Sequence, residues 1–274
     1  MAKVTAELIR IAARQVRVWR GATPLRDSSP NLLLLHGGLG DARWHWQTVW
    51  EPLADSFQLA APDLPHFGGT VELPNASFTE LVEWIARVQE LVGMSQAAIV
   101  GHSFGAGLAR LYAAAHPERV THLMLVDGGN IARAPKLARA PKLARRVMGS
   151  LLVSPLYELF RKQAFSEAGI RRAFANRAAV TREMITASQD ASPGFVALMR
   201  QVALSDVPLN RTPRVPTLLV WGERDRLTPL ARAYELAAEI HDARLAVIKN
   251  AGHLPQIEDP LSFLRVVREF CGVA

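Results

Sequence analysis

The chain has 274 residues, 49% of them hydrophobic and 21% charged, with 32 Lys plus Arg against 25 Asp plus Glu, a formal charge of +7. That apolar content permits a large buried core and excludes wholesale disorder. The basic residues are scattered and accompany no nucleic-acid motif, so the charge reads as a solvated, Arg-rich surface and no nucleic-acid partner is expected.

The lone cysteine, Cys271, cannot form an intrachain disulfide and reads as a small apolar residue of a terminal helix. The N-terminus lacks the apolar stretch of a signal peptide, and the uncharged runs, such as Ala97 to Ala109, are too short to span a bilayer. A cytoplasmic protein without a membrane span is the expectation.

Leu8 to Trp19 reads as two alternating strands. Continuous apolar runs then recur at Leu32 to Leu35, Phe57 to Ala61, Ala97 to Val100 and Leu123 to Val126, each ending in turn residues. Such runs suit strands buried on both faces, as in a parallel sheet. Between the second and third lies a helix. Ser77 and Glu80 form a capping box, Leu81, Ile85, Val88 and Val92 recur at helical spacing, and Gly93 supplies the stop. The alternation implies a doubly wound α/β sheet.

From residue 131 to 211 the pattern changes. The segment is rich in Arg and Ala, mostly helical in pattern, and contains a duplicated hexapeptide, Ala134 to Arg139 and Ala140 to Arg145. Strand pattern resumes at Thr217 to Trp221 and Arg244 to Ile248. Thr228-Pro229 and Asp259-Pro260 each read as an N-cap followed by Pro at the first helical position. The expected organisation is an α/β core of 1–130 and 212–274 interrupted by a helical cap insertion, 131–211.

Gly101-His102-Ser103-Phe104-Gly105 follows a buried strand and opens a helix, Ala106 to Ala115. A serine on such a strand-to-helix elbow exposes its Oγ, and the helix N-terminus favours developing negative charge. A serine hydroxyl needs a base, and the base an orienting carboxylate. Of eight histidines, His253 stands just past the last strand, where active sites of open α/β sheets lie. Asp225, in the loop after the preceding strand, is the favoured acid. Asp127, which also ends a strand, is the competitor and is given a structural role. The expected oxyanion donors are the N–H groups of Phe104 and Gly38, with Leu39 as the fallback.

His36-Gly37-Gly38, Pro62-Asp63-Leu64-Pro65, the Ser103 elbow, Gly222-Glu223-Arg224-Asp225 and Gly252-His253 together resemble the α/β-hydrolase superfamily, in its small serine hydrolase branch with a helical cap. The resemblance covers nearly everything except the cap. It implies a mostly parallel eight-stranded sheet with helices on both faces, an insertion after the sixth strand, and no metal or organic cofactor. Haloalkane dehalogenases and epoxide hydrolases of that family carry Asp where Ser103 stands, which disfavours those reactions. Meta-cleavage C–C hydrolases usually have Trp after the histidine and Gly-Pro-Gly in the oxyanion loop. Leu254 and Gly37-Gly38-Leu39-Gly40 stand there instead and argue against that subgroup. His66 occupies a position where relatives often have Gly.

The expected function is hydrolysis of a carboxylic ester or related acyl bond of a small, largely apolar substrate through an acyl-enzyme. Acyl transfer by the same triad and ligand binding on a hydrolase fold are the alternatives, and the oligomeric state is left open. Trp44 and Trp46 read equally as pocket lining and as helix packing. Within the cap, Leu151, Leu152, Leu156, Tyr157 and Phe160 are candidates for an apolar underside or for packing among the cap's own helices. Arg161, Arg171 and Arg172 read mainly as solvated surface.

Overall fold

A computed structural model describes residues 3–22, 29–74, 76–130, 154–203, 205 and 212–273. Eight strands form one sheet: β1 (Val4–Ile11), β2 (Arg14–Gly21), β3 (Asn31–Leu35), β4 (Gln58–Pro62), β5 (Ala97–His102), β6 (Val120–Val126), β7 (Thr217–Gly222) and β8 (Arg244–Ile248). Their spatial order is β1-β2-β4-β3-β5-β6-β7-β8. The β1–β2 hairpin joins β4 antiparallel, and all pairs from β4 to β8 are parallel.

The helices among the described residues are α1 (Ala42–Trp46), α2 (Trp50–Ala54), α3 (Phe78–Leu91), α4 (Phe104–Ala115), α5 (Ser154–Ala164), α6 (Glu167–Arg172), α7 (Arg182–Val202), α8 (Ala231–Glu239), α9 (Pro255–Glu258) and α10 (Pro260–Cys271). None is long and apolar enough to cross a membrane.

Consecutive residues of the central strands face opposite sides of the sheet, so continuous apolar runs build two cores at once. Leu33, Leu35, Ile99 and Leu125 pack with Ile85 of α3, Leu111 of α4 and Leu236 of α8. Leu32, Leu34, Val100 and Val126 pack on the other face with Trp46, Leu53 and Phe263. The capping box at Ser77 and Glu80 is formed in both directions, and Asp259 caps α10 through Ser262 N–H.

Thr228 does not cap the helix that follows it. α8 begins at Ala231, with Leu230 at its N-cap, and the Thr228 hydroxyl is used elsewhere, as described below. His66 lies at φ 74°, in the left-handed region that favours glycine. Its side chain is nonetheless packed away from solvent, near Glu72 and Gln201.

Between β6 and β7 the described residues form α5, α6 and α7 and no strand. The duplicated hexapeptides, Leu151 and Leu152 lie outside the described residues. Leu156 and Phe160 are 58% and 48% exposed, so neither belongs to a buried underside. Amphipathic spacing groups them on one face of α5 but does not say which face meets the core.

Candidate active site

Ser103 sits between β5 and α4 at φ 52°, ψ −112°, a strained conformation for a residue with a side chain. The surrounding close approach demands glycine. A Cβ on Gly105 would run into the carbonyls of Leu35 and His36, and one on Gly101 into the backbone of Gly105. Ser103 N–H donates to the Val126 carbonyl, 2.8 Å, and the Ser103 carbonyl accepts from Ala106 and Gly107. These bonds hold the elbow between β6 and α4 while the Ser103 side stays partly open to solvent.

His253 is nearly buried, in the loop between β8 and α9. Its Nε2 lies 3.0 Å from Ser103 Oγ and its Nδ1 lies 2.7 Å from Asp225 Oδ2. Asp225 follows β7, and its Oδ1 accepts from the N–H groups of Leu227, 2.7 Å, and Thr228, 2.9 Å. The Thr228 hydroxyl donates to Asp225 Oδ2, 2.5 Å. Burial pushes the Asp225 carboxyl upward, but its hydrogen bonds with His253 and Thr228 outweigh that and hold it below the ordinary carboxylate value. It therefore carries charge against the imidazole.

Asp127 is fully buried after β6, at φ 45°. Its Oδ1 accepts from Gly222 N–H, 2.9 Å, and among the described residues Oδ2 makes no hydrogen bond of ordinary geometry. Burial and then the neighbouring Asp225 charge push its carboxyl well above the ordinary value. The structure thus brings Ser103, His253 and Asp225 together in a hydrogen-bonded line and leaves Asp127 beside that line.

Asp127, Asp225 and His253 also offer three donor atoms within 4.8 Å of one another. His253 Nδ1 and Asp225 Oδ2 are committed to each other in this arrangement, and a cation there would have to break that bond.

The loop after β3 runs beside Ser103: a Cβ on Gly37 would come 3.1 Å from Ser103 Cβ. Gly38 and Phe104 are both partly exposed. Phe104 is the first residue of α4, where an N–H has no helical carbonyl to bond. The loop is held by charge. Arg17 pairs with Asp63 and, at 2.6 Å, with Asp41, while Asp63 Oδ1 accepts from Ala42 N–H and Asp41 caps α1 through Trp44 N–H.

Behind the elbow, His36, His45 and His102 are fully buried. His102 Nε2–H donates to the His253 carbonyl, 2.6 Å, and burial pushes His102 down to about 3. His36 Nε2 accepts from Leu64 N–H, 2.8 Å. Both act as neutral packing and hydrogen-bonding groups that fix the loops around Ser103.

The helices between β6 and β7 dock on these loops. Ser188 donates to the Leu39 carbonyl, Trp44 Nε1–H donates to the Met184 carbonyl, 3.0 Å, and Ala76 N–H donates to Gln201 Oε1, 2.6 Å. Glu258 ties the His253 loop to the same segment. Its two oxygens accept from Gly252 N–H, 2.7 Å, and Ala175 N–H, 2.8 Å. Trp44 and Trp46 are buried packing residues, Trp44 against Ile170 and Phe174 and Trp46 against Phe263. Arg161 pairs with Glu158, and Arg171 with Glu167.

A family model described as alpha/beta hydrolase fold matches residues 30–260. The chain belongs to the alpha/beta hydrolase fold family. Among curated proteins this hydrolase is 29% identical to the 2-hydroxymuconate semialdehyde hydrolase of Pseudomonas sp. strain CF600, over 92% of this chain and 91% of that one. It is 31% identical to a Pseudomonas putida hydrolase of the same name, over 79% and 78%. Among solved structures it resembles the 2-hydroxy-6-oxo-6-phenylhexa-2,4-dienoate hydrolase from Rhodococcus sp. strain RHA1, with a TM-score of 0.74 and 22% identity over 100% of both chains.

Three further residues bear on this arrangement, none of them read from the sequence as part of a site. Thr228 donates to Asp225, Glu258 holds the His253 loop, and Phe195 of α7 lies against Gly38. The N-cap-like Thr-Pro pair masked the first, and no sequence pattern marks the other two.

Proposed function

We propose that this alpha/beta hydrolase cleaves a carboxylic ester of a small, largely apolar acyl group by nucleophilic catalysis at Ser103. The observation that carries the reading is the unbroken line from Ser103 Oγ to His253 Nε2, 3.0 Å, and from His253 Nδ1 to Asp225 Oδ2, 2.7 Å. His253 takes the Ser103 proton as Oγ attacks the substrate carbonyl, and the negative oxygen of the tetrahedral intermediate accepts from the N–H groups of Phe104 and Gly38. The intermediate collapses and the alcohol leaves with the proton held by His253. Water, deprotonated by His253, then releases the acid and restores Ser103. Asp225 keeps the imidazole in the tautomer that presents a lone pair to Oγ and stabilises the imidazolium. The helices α5 to α7 act as the cap, excluding water and bounding the substrate.

A second reading, hydrolysis of a C–C bond with the same triad, is favoured by the names of the two Pseudomonas relatives. Leu254 and the Gly37-Gly38-Leu39-Gly40 loop weigh on the side of the ester. One experiment addresses both. Chromogenic esters and a meta-cleavage semialdehyde are offered to the wild type and to Ser103→Ala, with a fluorophosphonate probe and peptide mapping. Ester turnover with label on Ser103 alone, lost by about 10⁴-fold or more in Ser103→Ala, is expected. Turnover of the semialdehyde but not of esters selects the second reading, and label elsewhere overturns both.

A further inference from the structure

The middle of α7 reads Ser192-Pro193-Gly194-Phe195. Pro193 has no N–H, so the Gln189 carbonyl four residues earlier loses its helical donor. Ser192 Oγ–H takes that carbonyl instead, 2.7 Å, and is itself held by Arg161 Nη1–H, 3.2 Å. Gly194 then lets the helix press onto the preceding core loop, because any Cβ there would strike the His66 carbonyl. An interrupted but repaired stretch of helix is thereby brought down onto the catalytic edge of the sheet.

The next residue is Phe195. Its ring edge rests on Gly38: a Cβ on Gly38 would lie 2.5 Å from Phe195 Cε2. The ring also meets Phe104 edge-on, with centroids 6.2 Å apart and planes at 81°. Phe67 and Phe165 flank it at 6.4 Å and 5.8 Å. One side chain therefore touches both residues assigned above as oxyanion donors. Gly38, Ser103, Phe104 and Phe195 are all partly exposed, and the contacts above set them side by side.

We infer that Phe195 selects the acyl group. Its ring takes up the space beside Gly38 and Phe104 that the substituent on the substrate carbonyl must share. The inference rests on the ester-hydrolase reading and names its specificity residue. An aromatic wall here admits a short acyl chain beside the ring and rejects a bulky one, since pocket volume discriminates acyl groups by tens of fold.

The test compares wild type, Phe195→Ala and Phe195→Leu on para-nitrophenyl acetate, hexanoate and benzoate. Fluorophosphonate labelling of Ser103 is measured in parallel. Phe195→Ala is expected to raise kcat/KM for hexanoate and benzoate relative to acetate by about tenfold or more. Phe195→Leu is expected to do so by less, with Ser103 labelled in every variant. Phe195→Leu keeps an apolar side chain in the helix, so it decides the matter alone if the alanine variant does not fold. An unchanged ranking with Ser103 still labelled overturns the inference and leaves the ester-hydrolase reading standing. A wild-type Ser103 that takes no label overturns both.

Discussion

Two carboxyl groups stand within reach of His253, and their surroundings drive them apart. Asp225 receives two backbone N–H groups and the Thr228 hydroxyl and sits below the ordinary carboxylate range. Asp127 receives one N–H, is fully buried, and sits well above it. A carboxyl held low keeps the charge that stabilises an imidazolium, and one pushed up by burial is the poorer group for that task. Asp225→Asn is therefore expected to lower kcat by about 10⁴-fold, the loss seen when the orienting acid of a serine protease is amidated. Asp127→Asn keeps an oxygen for Gly222 N–H and is expected to stay within about tenfold of wild type. Steady-state kinetics on one chromogenic ester check both, and the reverse order would make Asp127 the acid. That Asp225 and His253 would meet beside Ser103 was legible in the sequence, because each follows a strand end. Thr228 was not, because Thr-Pro before a helical pattern is also how an N-cap reads, and only the path of the 225–230 loop turns the hydroxyl inward.

At the scale of the element, α7 carries a defect and its repair side by side. The Gln189 carbonyl is bonded by Ser192 only because Pro193 cannot donate. Ser192 is fully buried, so removing its hydroxyl strands the carbonyl, at a cost of about 1–3 kcal/mol. Ser192→Ala is expected to lose stability on that scale. Pro193→Ala returns a main-chain donor to the same carbonyl, so Ser192→Ala in the Pro193→Ala background is expected to cost clearly less, leaving only the hydrogen bond from Arg161 to be lost. Urea unfolding of the four proteins gives the coupling directly, and equal costs in the two backgrounds would mean that the hydroxyl serves something other than the break. The strands were easier to read than this helix. Apolar runs of β3, β5 and β7 can only be buried on both faces, so sequence and position coincide. An amphipathic helix states which residues share a face and leaves open what that face meets, which is why Leu156 and Phe160 read equally as an underside or as packing among neighbouring helices and Phe195 was not marked.

For the molecule as a whole, the loops that meet at the catalytic edge are packed around imidazoles that the fold keeps neutral. His36, His45 and His102 are fully buried, and burial lowers each of them from the ordinary 6.5, His45 well below it and His102 to about 3. When such a group is lowered on folding, the unfolded chain binds the proton first. Stability is then complete above the unfolded value and falls as pH drops through it, continuing until the folded value is reached. The raised carboxyls of Asp63, Asp127 and Glu258 act in the opposite sense: the native state holds their protons longer, so they favour the fold as pH falls toward the unfolded carboxylate value. The two contributions overlap in the wild type, and a difference measurement separates them. His45 donates from Nδ1 to the Asp41 carbonyl, 3.0 Å, and its buried Nε2 has no partner among the described residues to hold a proton. His45→Gln removes the titrating group while leaving every carboxyl in place. The variant is expected to be less stable than wild type at neutral pH. At about one pH unit below 6.5 the gap is expected to narrow by about 1.4 kcal/mol, because only the wild type must then keep that imidazole neutral. Urea unfolding at about pH 7.5 and 5.5 measures the gap at both ends, and a gap that stays constant between them would mean that His45 is protonated in the folded protein.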